Sequence, residues 1–130
     1  KYILIIALVL VIGMLVYSSC ATRNNGFKTV SVDEFSKLIA AREAIQLLDV
    51  RTQSEYNEGH VAGATLIDVN DSSFIDKVTA QLDKQKPVAV YCRSGRRSAK
   101  AAHAMVKAGF QVINLEGGIL TWQDAGKNVE

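Results

Sequence analysis

The residues most able to do chemistry in this 130-residue chain form one run, Tyr91-Cys92-Arg93-Ser94-Gly95-Arg96-Arg97-Ser98. Before it lies the apolar stretch Val88 to Tyr91. After it comes an alanine-rich stretch that ends near Ala108. The first reads as a strand and the second as a helix, so Cys92 stands at the end of a strand and Cys92 to Arg97 is the loop into the helix. A helix start offers unbonded amides and partial positive charge, which together favour an anion. Arg93, Arg96 and Arg97 add cations within five positions of the cysteine. Both influences favour the thiolate, the nucleophilic form. Gly95 lets the loop curl so that its amides turn inward. Such a cradle would activate Cys92 and hold a small oxyanion beside it. The competing reading is a buried, inert cysteine whose arginines face solvent. The glycine and the clustered arginines favour chemistry.

A strand-to-helix junction needs a sheet behind it, and the rest of the chain supplies one. Lys28 to Val30 is a short strand candidate. Ser31-Val-Asp-Glu34 matches a capping box, and Phe35, Leu38 and Ile39 continue at helical spacing to about Ala41. Ala44 to Val50 reads as a strand buried on both faces. Ser54 to Glu58 is long enough for one helical turn, and Ala64 to Val69 is a third strand. Ser72 to Leu82 carries Phe74, Ile75, Val78 and Leu82 on one face, as an amphipathic helix does. After the cysteine loop, Ser98 to Ala108 is a helix that Gly109 ends. Gln111 to Leu115 is the fifth strand, Gly117-Gly118 a turn, and Ile119 to Asp124 a last short helix. The alternation predicts an α/β fold: a five-stranded, mostly parallel sheet with helices on both faces. Ligands in such sheets bind beyond the carboxyl ends of the strands, where Cys92 sits.

Composition excludes other classes. Of 15 basic and 13 acidic residues only Lys1 falls in the first nineteen, so the remainder is nearly neutral and carries no nucleic-acid signature. The histidines, His60 and His103, are too few to build a metal site once the two cysteines are otherwise explained. No cofactor motif stands out, so neither metal nor cofactor is expected.

The cysteine loop resembles the active-site loop of rhodanese-like domains, in which the nucleophilic cysteine opens a six-residue loop. Asp49-Val50-Arg51 with Glu55-Tyr56, Gly59-His60-Val61-Ala62-Gly63-Ala64, and Asn114-Leu115-Glu116-Gly117-Gly118 with Trp122 resemble further signatures of that family, in its order, over roughly residues 27 to 127. The resemblance implies a sulfurtransferase. Cys92 would take a sulfur from thiosulfate or a similar small sulfur-containing anion, and pass it as a persulfide to a thiol or cyanide. It assigns binding of the donor to Arg93, Ser94, Gly95, Arg96, Arg97 and Ser98. Arg93 and Arg97 are the choices for the sulfonate, while Arg96 has an outward-facing alternative. Asp49, Arg51 and His60 become supporting residues. Trp122 is expected to pack over the sheet edge. A persulfide carrier or binding module without turnover stays open. So does a phosphatase or arsenate reductase on the same loop, although the arginine falls one place earlier than in the Cys-x5-Arg pattern of tyrosine phosphatases and Ser98 stands there instead.

The first twenty-six residues are a separate matter. Residues 2 to 17 carry no charge, Ser18 and Ser19 follow, and then Cys20. The arrangement resembles a bacterial lipoprotein signal with Cys20 as the lipidation candidate, although Tyr17 stands where an aliphatic residue is usual. An uncleaved membrane anchor and a conventional cleaved signal are the alternatives. The expected division is a signal or anchor over 1–19, a polar tether over 20–26 and the domain over 27–130. The expected location is the cell envelope outside the cytoplasm, membrane-anchored or periplasmic.

Overall fold

The computed structural model describes residues 26–130. The signal or anchor segment and Cys20 lie outside the described residues. Five strands alternate with five helices: β1 (Lys28–Val30), α1 (Val32–Ala40), β2 (Gln46–Asp49), α2 (Gln53–Glu58), β3 (Thr65–Leu66), α3 (Phe74–Gln81), β4 (Val88–Tyr91), α4 (Arg96–Lys107), β5 (Val112–Leu115) and α5 (Gly118–Asp124). The sheet order is β1-β5-β4-β2-β3. Every pairing is parallel, so the expected "mostly parallel" sheet is wholly so among the described residues.

The strand that carries the cysteine is the central one. All four residues of β4 are buried, as an unbroken apolar run requires of a strand with both faces covered. Val88 and Val90 point with Cys92 into a core shared with Val78, Ala101, Ala102 and Met105, so α3 and α4 cover that face. Ala89 and Tyr91 point the other way, toward Phe35, Leu115, Ile119 and Trp122 of α1, β5 and α5. Ala101 and Ala102 are fully buried, and their small side chains let α4 lie close on the sheet. That closeness fixes the start of α4 against the end of β4, where the cysteine stands.

Several boundaries differ from the expectation for local reasons. α4 begins at Arg96, two residues earlier than expected, because Gly95 in the left-handed region (φ 100°) caps it and the chain turns helical at once. β3 keeps only two residues of the run 64–69, with Ile67 and Val69 bonding onward to the Asp49 and Val50 carbonyls outside regular strand geometry. Ser31 caps α1 by accepting from the Glu34 amide, but the Glu34 carboxylate lies 3.6 Å from Lys28 and does not close the box. The complete capping box belongs to α2: Thr52 Oγ1 accepts from the Glu55 amide, and the Glu55 carboxylate accepts from the Thr52 amide.

Candidate active site

Cys92 is 1% exposed and sits in a ring of donors. The Gly95 amide donates to its Sγ at 3.0 Å and the Ser98 hydroxyl at 3.3 Å. Burial pushes the thiol up, since a thiolate loses hydration there. Hydrogen bonds from the Ser98 hydroxyl and from the Ser98, Gly95 and Ser94 amides outweigh this and hold it below its ordinary value. α4 makes this possible because its cap, Gly95, has no side chain to consume the first-turn amides.

Those amides face inward because the carbonyls are held away. The Ile119 and Leu120 amides of α5 donate to the Cys92 and Arg93 carbonyls at 2.8 and 3.2 Å. Gly118 (φ 63°) permits the approach: a Cβ there would stand 2.4 Å from the Arg93 oxygen and 2.5 Å from the Cys92 oxygen. The Gly117-Gly118 turn is therefore part of the cradle.

The three loop arginines have different fates. Arg93 and Arg96 are exposed. Arg97 turns back onto Glu55, with Nη1 donating to Oε1 at 2.6 Å and Nη2 to Oε2 at 2.8 Å. Its guanidinium holds the Glu55 carboxyl down at about 2, and the carboxylate raises Arg97 in return. Arg97 thus ties α4 to α2, its fork filled by a carboxylate of matching geometry. Ser94 is exposed and Ser98 fully buried, so the latter serves the sulfur rather than the mouth.

Asp49 and Arg51 form a support beneath the loop. Arg51 Nε and Nη2 donate to the Asp49 carboxylate, the shortest contact being 2.7 Å, and Nη2 also donates to the Gly59 carbonyl at 2.7 Å. The Tyr91 hydroxyl donates to Asp49 Oδ2 at 2.8 Å and accepts from the Val61 amide at 3.0 Å. Burial, with the Asp49 charge beside it, pushes the Tyr91 phenol far up, so it stays protonated. The side chain next to the nucleophile thus points away from it and pins β4 to β2 and to the turn after α2. His60 lies in that turn, its Nδ1 3.0 Å from the Tyr56 carbonyl and its ring stacked on Tyr56 at 3.7 Å. Trp122 packs edge-on to Phe35 and donates to the Asn128 carbonyl. Sequence reasoning missed Tyr91, the α5 amides and the Glu55–Arg97 pair. For Glu55, the Thr52-x-x-Glu55 spacing was the available signal.

Beside the loop opens a pocket of about 200 Å³, walled by Arg51, Glu55, Arg93 and Leu120 among others. A larger cavity of about 410 Å³ lies around Ile39, Leu47 and Trp122, and no residue of the cysteine loop lines it.

A match to the rhodanese-like domain family spans residues 31–125. This chain belongs to the rhodanese-like domain family. Its curated relatives include thiosulfate sulfurtransferase GlpE of Coxiella burnetii (strain RSA 493), 35% identical over 109 residues that cover 78% of this chain and 98% of the relative. Thiosulfate sulfurtransferase 18 of Arabidopsis thaliana is 31% identical, with 82% of this rhodanese-like chain and 87% of the relative covered. Among solved structures, a rhodanese-related protein from Thermoplasma volcanium matches with a TM-score of 0.71 and 29% identity, over 80% of this chain and 98% of that one. The five-stranded fold described above is the rhodanese-like fold.

Proposed function

We propose that this rhodanese-like chain is a sulfurtransferase that carries sulfane sulfur on Cys92. The observation that carries the reading is the donor ring around Sγ, which holds the thiol below its ordinary value despite near-complete burial. In the first half-reaction the Cys92 thiolate attacks the outer sulfur of thiosulfate or a similar donor. A sulfur–sulfur bond forms to Cys92, the donor's own breaks, and sulfite leaves with the electron pair. The loop amides that held the thiolate then hold the outer sulfur of the persulfide. Arg93 at the mouth steadies the sulfonate, since Arg97 is already paired. In the second half-reaction a thiol or cyanide takes the outer sulfur and restores Cys92, which is covalent catalysis through a carrier intermediate.

The reading is tested by thiocyanate formation from thiosulfate and cyanide, with the full chain and its Cys92→Ser variant side by side. Activity that disappears in the variant supports it. Equal activity in both would refute Cys92 as the carrier. A folded protein that loads sulfur without turnover would leave a carrier in place of an enzyme. Ser98 at the position of the phosphate-binding arginine in the Cys-x5-Arg pattern, with its hydroxyl donating to Cys92 Sγ at 3.3 Å, counts against a phosphatase.

The second part of the proposal concerns place. The uncharged run 2–17 and Cys20 would hold the domain at a cell-envelope membrane, outside the cytoplasm. Mass spectrometry of the mature N-terminus should find a lipidated Cys20. An unmodified Cys20 in an intact chain would replace the lipid with an anchor helix.

A further inference from the structure

The pocket beside the cysteine loop has a charge pattern that sulfur donation alone does not require. Four charged side chains line it: Arg51, Glu55, Glu58 and Arg93. Two are already neutralised, Arg51 by Asp49 and Glu55 by Arg97. Arg93 and Glu58 are exposed, and neither has an ion-pair partner among the described residues. The pocket thus keeps one free cation and one free carboxylate. It also presents Leu120, which at 37% exposure is the only exposed large apolar side chain among the described residues. The pocket adjoins the reacting atom's loop directly. Arg93 follows Cys92 in the chain, and the Leu120 amide holds the Arg93 carbonyl.

We infer that this pocket is the acceptor subsite and takes an α-amino thiol of cysteine size, its carboxylate on Arg93 and its ammonium on Glu58. The inference rests on the sulfur-transfer reading above. A simple inorganic acceptor would need no carboxylate at the mouth, and a polyanionic one would be repelled by Glu58. A zwitterion satisfies both free charges while its short apolar carbon chain lies against Leu120. In the transfer the acceptor thiol gives its proton to the outer sulfur of the Cys92 persulfide anion and, as thiolate, attacks that sulfur. The new sulfur–sulfur bond forms, the bond to Cys92 Sγ breaks, and Cys92 leaves as thiolate. The product departs as the acceptor's hydropersulfide with the proton on the transferred sulfur. Arg93 serves in turn the donor's sulfonate and the acceptor's carboxylate, as a ping-pong cycle through one mouth allows.

The test separates the two half-reactions. The full chain is loaded with thiosulfate, the Cys92 persulfide is confirmed by intact mass, and excess donor is removed. Its discharge is then timed with L-cysteine and with N-acetyl-L-cysteine, which keeps the carboxylate and lacks the ammonium. Glu58→Gln should slow discharge by L-cysteine about two- to fivefold, the range of an exposed ion pair, and leave N-acetyl-L-cysteine unslowed. Comparing each acceptor across the two proteins cancels its intrinsic reactivity. Glu58→Lys should go further and favour the N-acetyl compound. Arg93→Gln should slow both acceptors and spare cysteamine, which lacks the carboxylate. Equal effects of the Glu58 changes on the two acceptors, or none, would overturn the subsite while the persulfide stands. Failure to form any persulfide would instead overturn the sulfur-transfer reading, and the subsite with it.

Discussion

Replacing Glu55 by Gln removes one charge from the pair that ties α2 to the first turn of α4. The amide keeps the size of the side chain and can still accept from the Thr52 amide, so the helix cap survives. What is lost is the charge-assisted double bond to Arg97, at 2.6 and 2.8 Å. The fall of the Glu55 carboxyl from 4.5 to about 2 sets a ceiling of roughly 3 kcal/mol. The two side chains are 24% and 28% exposed, and solvent screening reduces the expected loss to about 1–2 kcal/mol. For a domain of this size that is a drop in melting temperature of roughly 5–10 °C at neutral pH. The sign with pH follows from a folded value below the unfolded one. The stabilisation is complete above the unfolded value of 4.5 and drains away as pH falls toward 2. Thermal melts of wild type and Glu55→Gln at pH 7 and pH 3 should therefore show a gap that narrows by more than half at the lower pH. A gap of equal size at both, or none at pH 7, would refute the pair as a tie. Adding Arg97→Met to Glu55→Gln should cost little more, because the interaction is already gone.

Other changes probe the cradle and its support. Ser98→Ala removes the hydroxyl donor to Sγ, so the Cys92 thiol should rise. kcat/KM at pH 7 should fall about tenfold, with the deficit shrinking as pH climbs past the ordinary thiol value of 9.0; a deficit independent of pH would contradict the hydroxyl's role. Gly118→Ala would drive a Cβ into the Cys92 and Arg93 carbonyls at a left-handed φ of 63°, so the melting temperature and the alkylation rate of Cys92 at neutral pH should both drop; wild-type values for both would exclude the close approach. Asp49→Asn leaves the Arg51 guanidinium buried without a counter-charge and should cost about 3–5 kcal/mol in urea unfolding; a cost below about 1 kcal/mol would mean the pair carries no load.

The sheet was readable because its strands are apolar runs of the right length, each followed by helical spacing. β4 was the plainest, since a fully buried strand leaves an unbroken apolar run, Val88 to Tyr91. β3 was overextended because Ile67 and Val69 are buried like strand residues while the chain around them bends out of regular pairing. The position of Cys92 at the strand end, and Gly95 as the bend beside it, followed from local signals alone. The partners of the arginines did not. Whether Arg97 faces a donor or Glu55 depends on α2, 42 positions away along the chain. No local pattern encodes that distance; the capping box of Thr52 and Glu55 makes the carboxylate a fixed one without naming its partner. The same holds for Tyr91, whose place in an apolar run gives no sign that its hydroxyl bridges Asp49 and Val61.

That Cys92 holds the sulfur is a claim decided by the intact mass of the protein after exposure to donor alone. Incubation with thiosulfate and no acceptor should add the mass of one sulfur atom, map it to the Cys92 peptide and release one equivalent of sulfite, with Cys92→Ser unchanged. A protein that releases sulfite without gaining mass, or that gains it equally in the variant, would contradict the claim.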